Sequence, residues 1–161
     1  MDASKAVLHQ AAALAYRVVG GKVEVLLVTS RETGRWIIPK GNIATGSTPA
    51  QAAKREALEE AGVKGTIESS IPLGLYKYFK RLGSGETRGA TVEVYLLRAR
   101  ELLSKWPEKG QRKLAWVSTA EAVRIIEEPG VEPLLRRLME VEADLVRPRR
   151  RAHRQTSVRA A

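Results

Sequence analysis

The sequence predicts one mixed α/β domain of the α+β kind, followed by a basic tail. Three observations point there. Several segments alternate apolar with polar residues, or gather β-branched and aromatic ones, as strands do. Two Ser/Thr-x-x-Glu/Gln patterns stand directly before helical stretches. The chain has 161 residues, of which 43% are hydrophobic, enough to enclose a real core.

Taken in order, "ALAYRVVGGKVEVLLVTS" reads as two strands joined at Gly20-Gly21, a pair suited to a tight hairpin turn. "RWIIPKG" is a short strand entering a loop, with Pro39 setting its exit. Thr48 caps the next helix, Pro49 takes its first position, and Gln51 completes a capping box. This helix runs to about Ala61 and stops at Gly62, with Ala50, Ala53, Ala57 and Ala61 as a narrow apolar stripe. "LGLYKYFKR" and "ATVEVYLLRA" are strands separated by a glycine-rich charged loop, "RLGSGETRG", and "QRKLAWVS" is another strand. Ser118 and Glu121 are expected to form a second capping box for "TAEAVRIIEE", which Pro129-Gly130 breaks. A last helix spans about Glu132 to Leu145, presenting Leu134, Leu135, Leu138 and Val141. Residues 1–146 therefore form the domain, and 147–161 a disordered tail.

Composition removes several chemistries. Without cysteine there is no disulfide scaffold, thiolate zinc site or cysteine nucleophile. The two histidines, His9 and His153, lie near the chain ends. No apolar run approaches a membrane span and no secretory pattern opens the chain, so the cytoplasm is the expected compartment. Net charge is +10, and the six arginines of 147–161 leave +4 for the residues before them. Such a tail suits weak contact with RNA or anionic lipid, or else serves as a solvated end. Nothing in the pattern separates a monomer from a homodimer.

"REALEEAG", from Arg55 to Gly62, carries Glu56, Glu59 and Glu60 within a wedge about 100° wide on one helix side. Like charges so placed repel by about 0.2–0.5 kcal/mol per pair. A solvated acidic face would tolerate that, and Arg55 could compensate Glu59 at i,i+4. Yet a glycine-bearing loop leads straight into the helix, and clustered carboxylates beside a loop are what hard divalent cations require. An oxygen-ligand metal site is the main metal chemistry this composition allows.

These residues resemble the signature of the Nudix hydrolases: a glycine, five residues, a glutamate, seven residues, then Arg-Glu, an apolar residue, any residue, Glu-Glu, any residue, glycine and an apolar residue. Gly41 begins the match, and Arg55-Glu56-Ala57-Leu58-Glu59-Glu60-Ala61-Gly62-Val63 completes it in register. Ser47 stands where the signature has its first glutamate, which implies a loosely held metal.

The resemblance implies a Nudix-type α/β/α sandwich with a mixed central sheet, over about Ala11 to Met139. It also implies metal-assisted attack of water on a phosphoanhydride. Glu56, Glu59 and Glu60 would bind Mg²⁺ or Mn²⁺ together with the main-chain carbonyl of Lys40; Glu59 or Glu60 could instead serve as base, and Arg55 supports the cluster. The flanking sequence is most similar to the branch that cleaves diphosphoinositol and dinucleoside polyphosphates. In that setting Arg17, Arg31, Arg35, Lys40, Gly41, Lys77, Lys80 and Arg88, with Arg81, are the expected substrate contacts. Nucleoside triphosphates, RNA 5′ ends and a non-catalytic ligand-binding module are the alternatives.

Overall fold

The computed structural model describes residues 6–147. The tail expected at 147–161 lies outside them except for Arg147, and so does His153.

β1 (Leu8–Val19) and β2 (Lys22–Thr29) form the expected hairpin, with Gly20 and Gly21 at φ 57° and 75°. Both turn positions need positive φ, which glycine adopts without steric cost. β3 (Trp36–Ile37) and β4 (Lys40–Asn42) follow, interrupted at Ile38-Pro39, and α1 covers Pro49–Ala61. After it come β5 (Val63–Ile67), β6 (Gly74–Arg81) and β7 (Thr87–Leu102). β8 (Leu114–Ser118), α2 (Thr119–Ile125) and α3 (Glu132–Val146) complete the chain.

The eight strands make one mixed sheet. β1 runs parallel to β7, with Leu8 opposite Ala90 and Tyr16 opposite Arg98, while the other pairings are antiparallel. Alternation along β1 splits the core in two. Ala11, Ala13 and Ala15 meet Ala52, Ala53, Ala57 and Ala61 of α1, where small side chains on both layers let helix and sheet approach closely. Ala12, Leu14 and Tyr16 face the other way, toward Leu134, Leu135 and Leu138 of α3. Helices cover both faces, so β1 is buried from Gln10 to Tyr16.

Three local expectations need correction. β5 has no counterpart in the sequence reading: Gly65 and exposed Lys64 and Thr66 blur its pattern. A Cβ at Gly65 would overlap the Arg98 carbonyl of β7, beside a register shift. The second capping box is one-sided, because Ser118 Oγ accepts from the Glu121 amide while the Glu121 carboxylate pairs with Arg124 at 2.8 Å. α2 also stops at Ile125, short of Pro129, since Glu127 leaves the helix to exchange hydrogen bonds with Trp36.

Candidate active site

The signature loop and helix are held by local chemistry. Thr48 and Gln51 form the reciprocal capping box, and Gly62 closes α1 at φ 68°. Gly41 lies in β4 directly beneath Glu56, and a Cβ there would overlap the Glu56 carboxyl. Glycine is thus what lets the first acid lie against the strand. Arg55 donates to the Asn42 carbonyl at 3.1 Å and stands 3.6 Å from the Glu56 carboxylate. Glu56 and Asn42, rather than Glu59, are the partners it takes here.

A cleft of about 630 Å³ opens beside this helix. Its acidic side carries Glu56 and Glu60, joined by Glu108 from the loop before β8, and Arg112 lies among them. Glu59 is not among the lining residues. Its backbone carbonyl accepts the Glu108 amide at 3.0 Å, which fastens the loop to α1. Trp106 packs over Gly62 and secures the same attachment.

Arg112 Nη2 is 3.6 Å from Glu60, its Nε is 3.3 Å from Glu108, and Nη1 donates to the Thr29 carbonyl at 3.1 Å. Glu60 is 4% exposed. Burial pushes its pKa up to about 8; Arg112 pulls it down, and Glu56 and Glu108 push it up. Glu56 is raised too, first by burial and then by Glu59, against the lowering effects of its hydrogen bond with Glu60 and of Arg55. Burial thus disfavours the ionised form of both carboxyls, although Arg55 and Arg112 stand within 3.6 Å of them.

The rest of the lining is largely basic, and Arg31 lies beside the acids: its Nη1 is 3.8 Å from Glu108 and donates to Gln111 Oε1 at 3.1 Å. Arg31, Arg35, Lys40, Lys80 and Arg81 line the cleft with Tyr78 and Phe79, the last 81% exposed. Lys40 Nζ is paired with Glu128 at 2.9 Å and lies over the Tyr78 ring. Lys77 lines side cavities next to Tyr78 instead. Arg88, opposite Lys80 in the β6–β7 ladder, is not on the cleft lining. Arg17 is outside it as well, bound to Glu24 at 2.8 Å and stacked 4.4 Å over Trp116. Trp36 and Trp116 pack on the core as half-buried side chains. A larger, mostly apolar groove between the hairpin turn and α3 shares no lining residue with the cleft.

Among the described residues, no group of three or more His, Asp or Glu side chains is arranged as it stands to hold a cation. The donor set nevertheless fits a hard one. The carboxyls of Glu56, Glu60 and Glu108 are all oxygen ligands, and a bound cation would offset the burial penalty on the ionised forms of Glu56 and Glu60.

A NUDIX domain matches residues 8–138. The chain belongs to the Nudix family. Nudix hydrolase 12, mitochondrial, of Arabidopsis thaliana is 32% identical over 126 residues, 76% of this chain and 62% of the plant protein. Diphosphoinositol polyphosphate phosphohydrolase 3-beta of Homo sapiens is 36% identical over 107 residues, 65% of this chain and 60% of the human protein. The chain thus spans about three fifths of the length of these curated relatives. A C. elegans Ap4A hydrolase in binary complex superimposes with TM-score 0.64 at 25% identity, covering 86% of this chain and 99% of that one. The Nudix sandwich is therefore the fold, and Nudix hydrolases generally use divalent cations. Among the described residues, no helix is long and apolar enough to cross a membrane.

Proposed function

We propose that this Nudix protein is a metal-dependent hydrolase that cleaves a phosphoanhydride bond in a polyphosphorylated small molecule, a diphosphoinositol or dinucleoside polyphosphate. One observation carries the reading: a single cleft is lined by Glu56, Glu60 and Glu108 and also by Arg31, Arg35, Lys80 and Arg81. An acidic side suits a cation, and a basic rim suits phosphates that the cation also binds. The named activities of the human and C. elegans relatives support this substrate class.

Mg²⁺ or Mn²⁺ would be held by Glu56, Glu60 and Glu108, with Glu59 and the Lys40 carbonyl at the margin. When bound, the cation supplies charge neutralisation on the phosphate oxygens and a more acidic water. The protein's own residues do the rest. Arg31 and Arg35, on the loop before β3, offer guanidinium forks to the phosphate chain, and Lys80 and Arg81 meet it from the β6–β7 end. Glu60 lines the cleft and Glu59 does not, so of the two Glu60 is the better placed to hold the cation or, instead of holding it, to take the water's proton.

The test is a panel of diphosphoinositol polyphosphates, dinucleoside polyphosphates, nucleoside triphosphates and 5′-triphosphorylated RNA, incubated with Mg²⁺ or Mn²⁺. Products are identified by mass. Hydrolysis of the first two classes is expected, lost in chelator and restored by metal. Undiminished turnover after exhaustive chelation overturns the metal mechanism. Binding of the panel without turnover assigns a non-catalytic module instead. A cytoplasmic setting is part of this proposal, although the Arabidopsis thaliana relative named above carries a mitochondrial name.

A further inference from the structure

Glu128 is an acid that the catalytic scheme leaves unused. It lies in the connection between α2 and α3, is 8% exposed, and is not among the residues lining the cleft. Three donors, two from the Trp36–Lys40 segment and one from β6, nevertheless converge on it. The Ile38 amide reaches Oε1 at 3.0 Å, and Lys40 Nζ and the Tyr76 hydroxyl reach Oε2 at 2.9 and 2.7 Å. The neighbouring Glu127 accepts the Trp36 amide at 2.6 Å and returns its own amide to the Trp36 carbonyl. The connection is thus pinned to Trp36, Ile38 and Lys40. It sits close: a Cβ at Gly130 would come within 2.6 Å of Tyr76.

We propose that Glu128 is a positioning residue for Lys40, holding both its ammonium and the backbone that leads into Gly41. Glu128 touches no reacting atom. It acts by keeping the Lys40 charge on the cleft wall, against the Tyr78 ring, rather than free to follow a polyanion. A charge held in one place is useful to a transition state that needs phosphate in one place, and is a poorer partner for phosphate in the ground state. The inference rests on the hydrolase reading of the cleft.

Its consequence is a split that simple loss of structure cannot mimic. Glu128→Gln keeps a carbonyl for the Ile38 amide but gives Lys40 an amide instead of a carboxylate. The freed ammonium should tighten inorganic tripolyphosphate, measured by titration calorimetry in chelator, by several-fold. Turnover of diadenosine tetraphosphate with Mn²⁺ should fall about tenfold, as expected for a misplaced contact. Ile38 amide exchange should stay slow. In a Lys40→Met background the same substitution should leave tripolyphosphate affinity unchanged, because no ammonium remains to be freed.

Equal tightening in both backgrounds would mean that Glu128 acts only as a distant negative charge, and overturns the proposal. So would joint loss of affinity and turnover with fast Ile38 exchange, the mark of a purely structural clamp. Tyr76→Phe removes one donor and leaves the Lys40 pair; near-normal affinity and turnover are expected. If Glu128→Gln does not fold, a turnover loss in Tyr76→Phe as large as in Lys40→Met decides against the proposal. Absence of hydrolysis by the unaltered protein would end the hydrolase reading, while the titrations still judge the Glu128–Lys40 coupling.

Discussion

Gly41 shows how one missing side chain can organise a site. The Glu56 carboxyl occupies the space that a Cβ would need, so Gly41→Ala must displace the acid. The acid is the end of a flexible side chain and can move, so the fold should survive with less than about 1 kcal/mol lost. Turnover should drop by about 10² because a cluster acid is misplaced. Thermal unfolding and steady-state rates on one substrate check this, and wild-type turnover in the alanine variant would refute it. Arg55 makes a related point. With Ser47 in place of the usual glutamate, its guanidinium takes the Asn42 carbonyl at the end of β4 and the Glu56 carboxylate on its own helix.

At the scale of elements, α1 is nearly complete as a local instruction. Cap, first-turn proline and left-handed stop are all where the sequence puts them. Thr48→Ala should cost about 0.5–2 kcal/mol of stability, since the Gln51 amide loses its acceptor and the box loses one arm. Denaturant unfolding at constant m-value reads that loss; an unchanged midpoint would show the helix start is held by packing alone. α2 is the contrasting case. Its sequence continues to favour helix through Glu127 and Glu128, yet the chain leaves it after Ile125 to bind the Trp36–Lys40 segment. Hydrogen bonds to a distant strand outweigh a few residues of helix propensity.

For the whole molecule, the acidic cluster ties stability to pH. Glu60 titrates near 8 in the fold against an ordinary 4.5, so between those values the folded state binds more protons than the unfolded one. Stability from this group is therefore full below about pH 4.5 and declines as pH rises through about 8. In chelator, Glu60→Gln should unfold close to the wild-type temperature at about pH 4.5. By about pH 8.5 it should gain a few degrees over the wild type. Parallel melting temperatures across that range would show that burial does not penalise the ionised acid. Such a site exchanges part of the fold's stability for a place where a cation is wanted.

Hairpin, capped helix, acidic wedge and the glycine beneath it were legible in the sequence because each depends on residues within a few positions of one another. Periodicity and turn chemistry are local signals. The sheet's mixed order, the split of β1 between two cores, and the membership of the cleft depend on contacts across the chain. Glu108 and Arg112 follow the signature helix by about fifty residues and carry no periodic mark; they enter only because their loop docks on the end of α1. Arg17 looks as basic as Arg31, but the pleat turns it onto Trp116 and Glu24. Glu128 lies 88 positions from Lys40 and 90 from Ile38. Local sequence determined which chemistry this protein can offer, while tertiary packing decided which charges share one cleft, because burial and distance set what a charge can do.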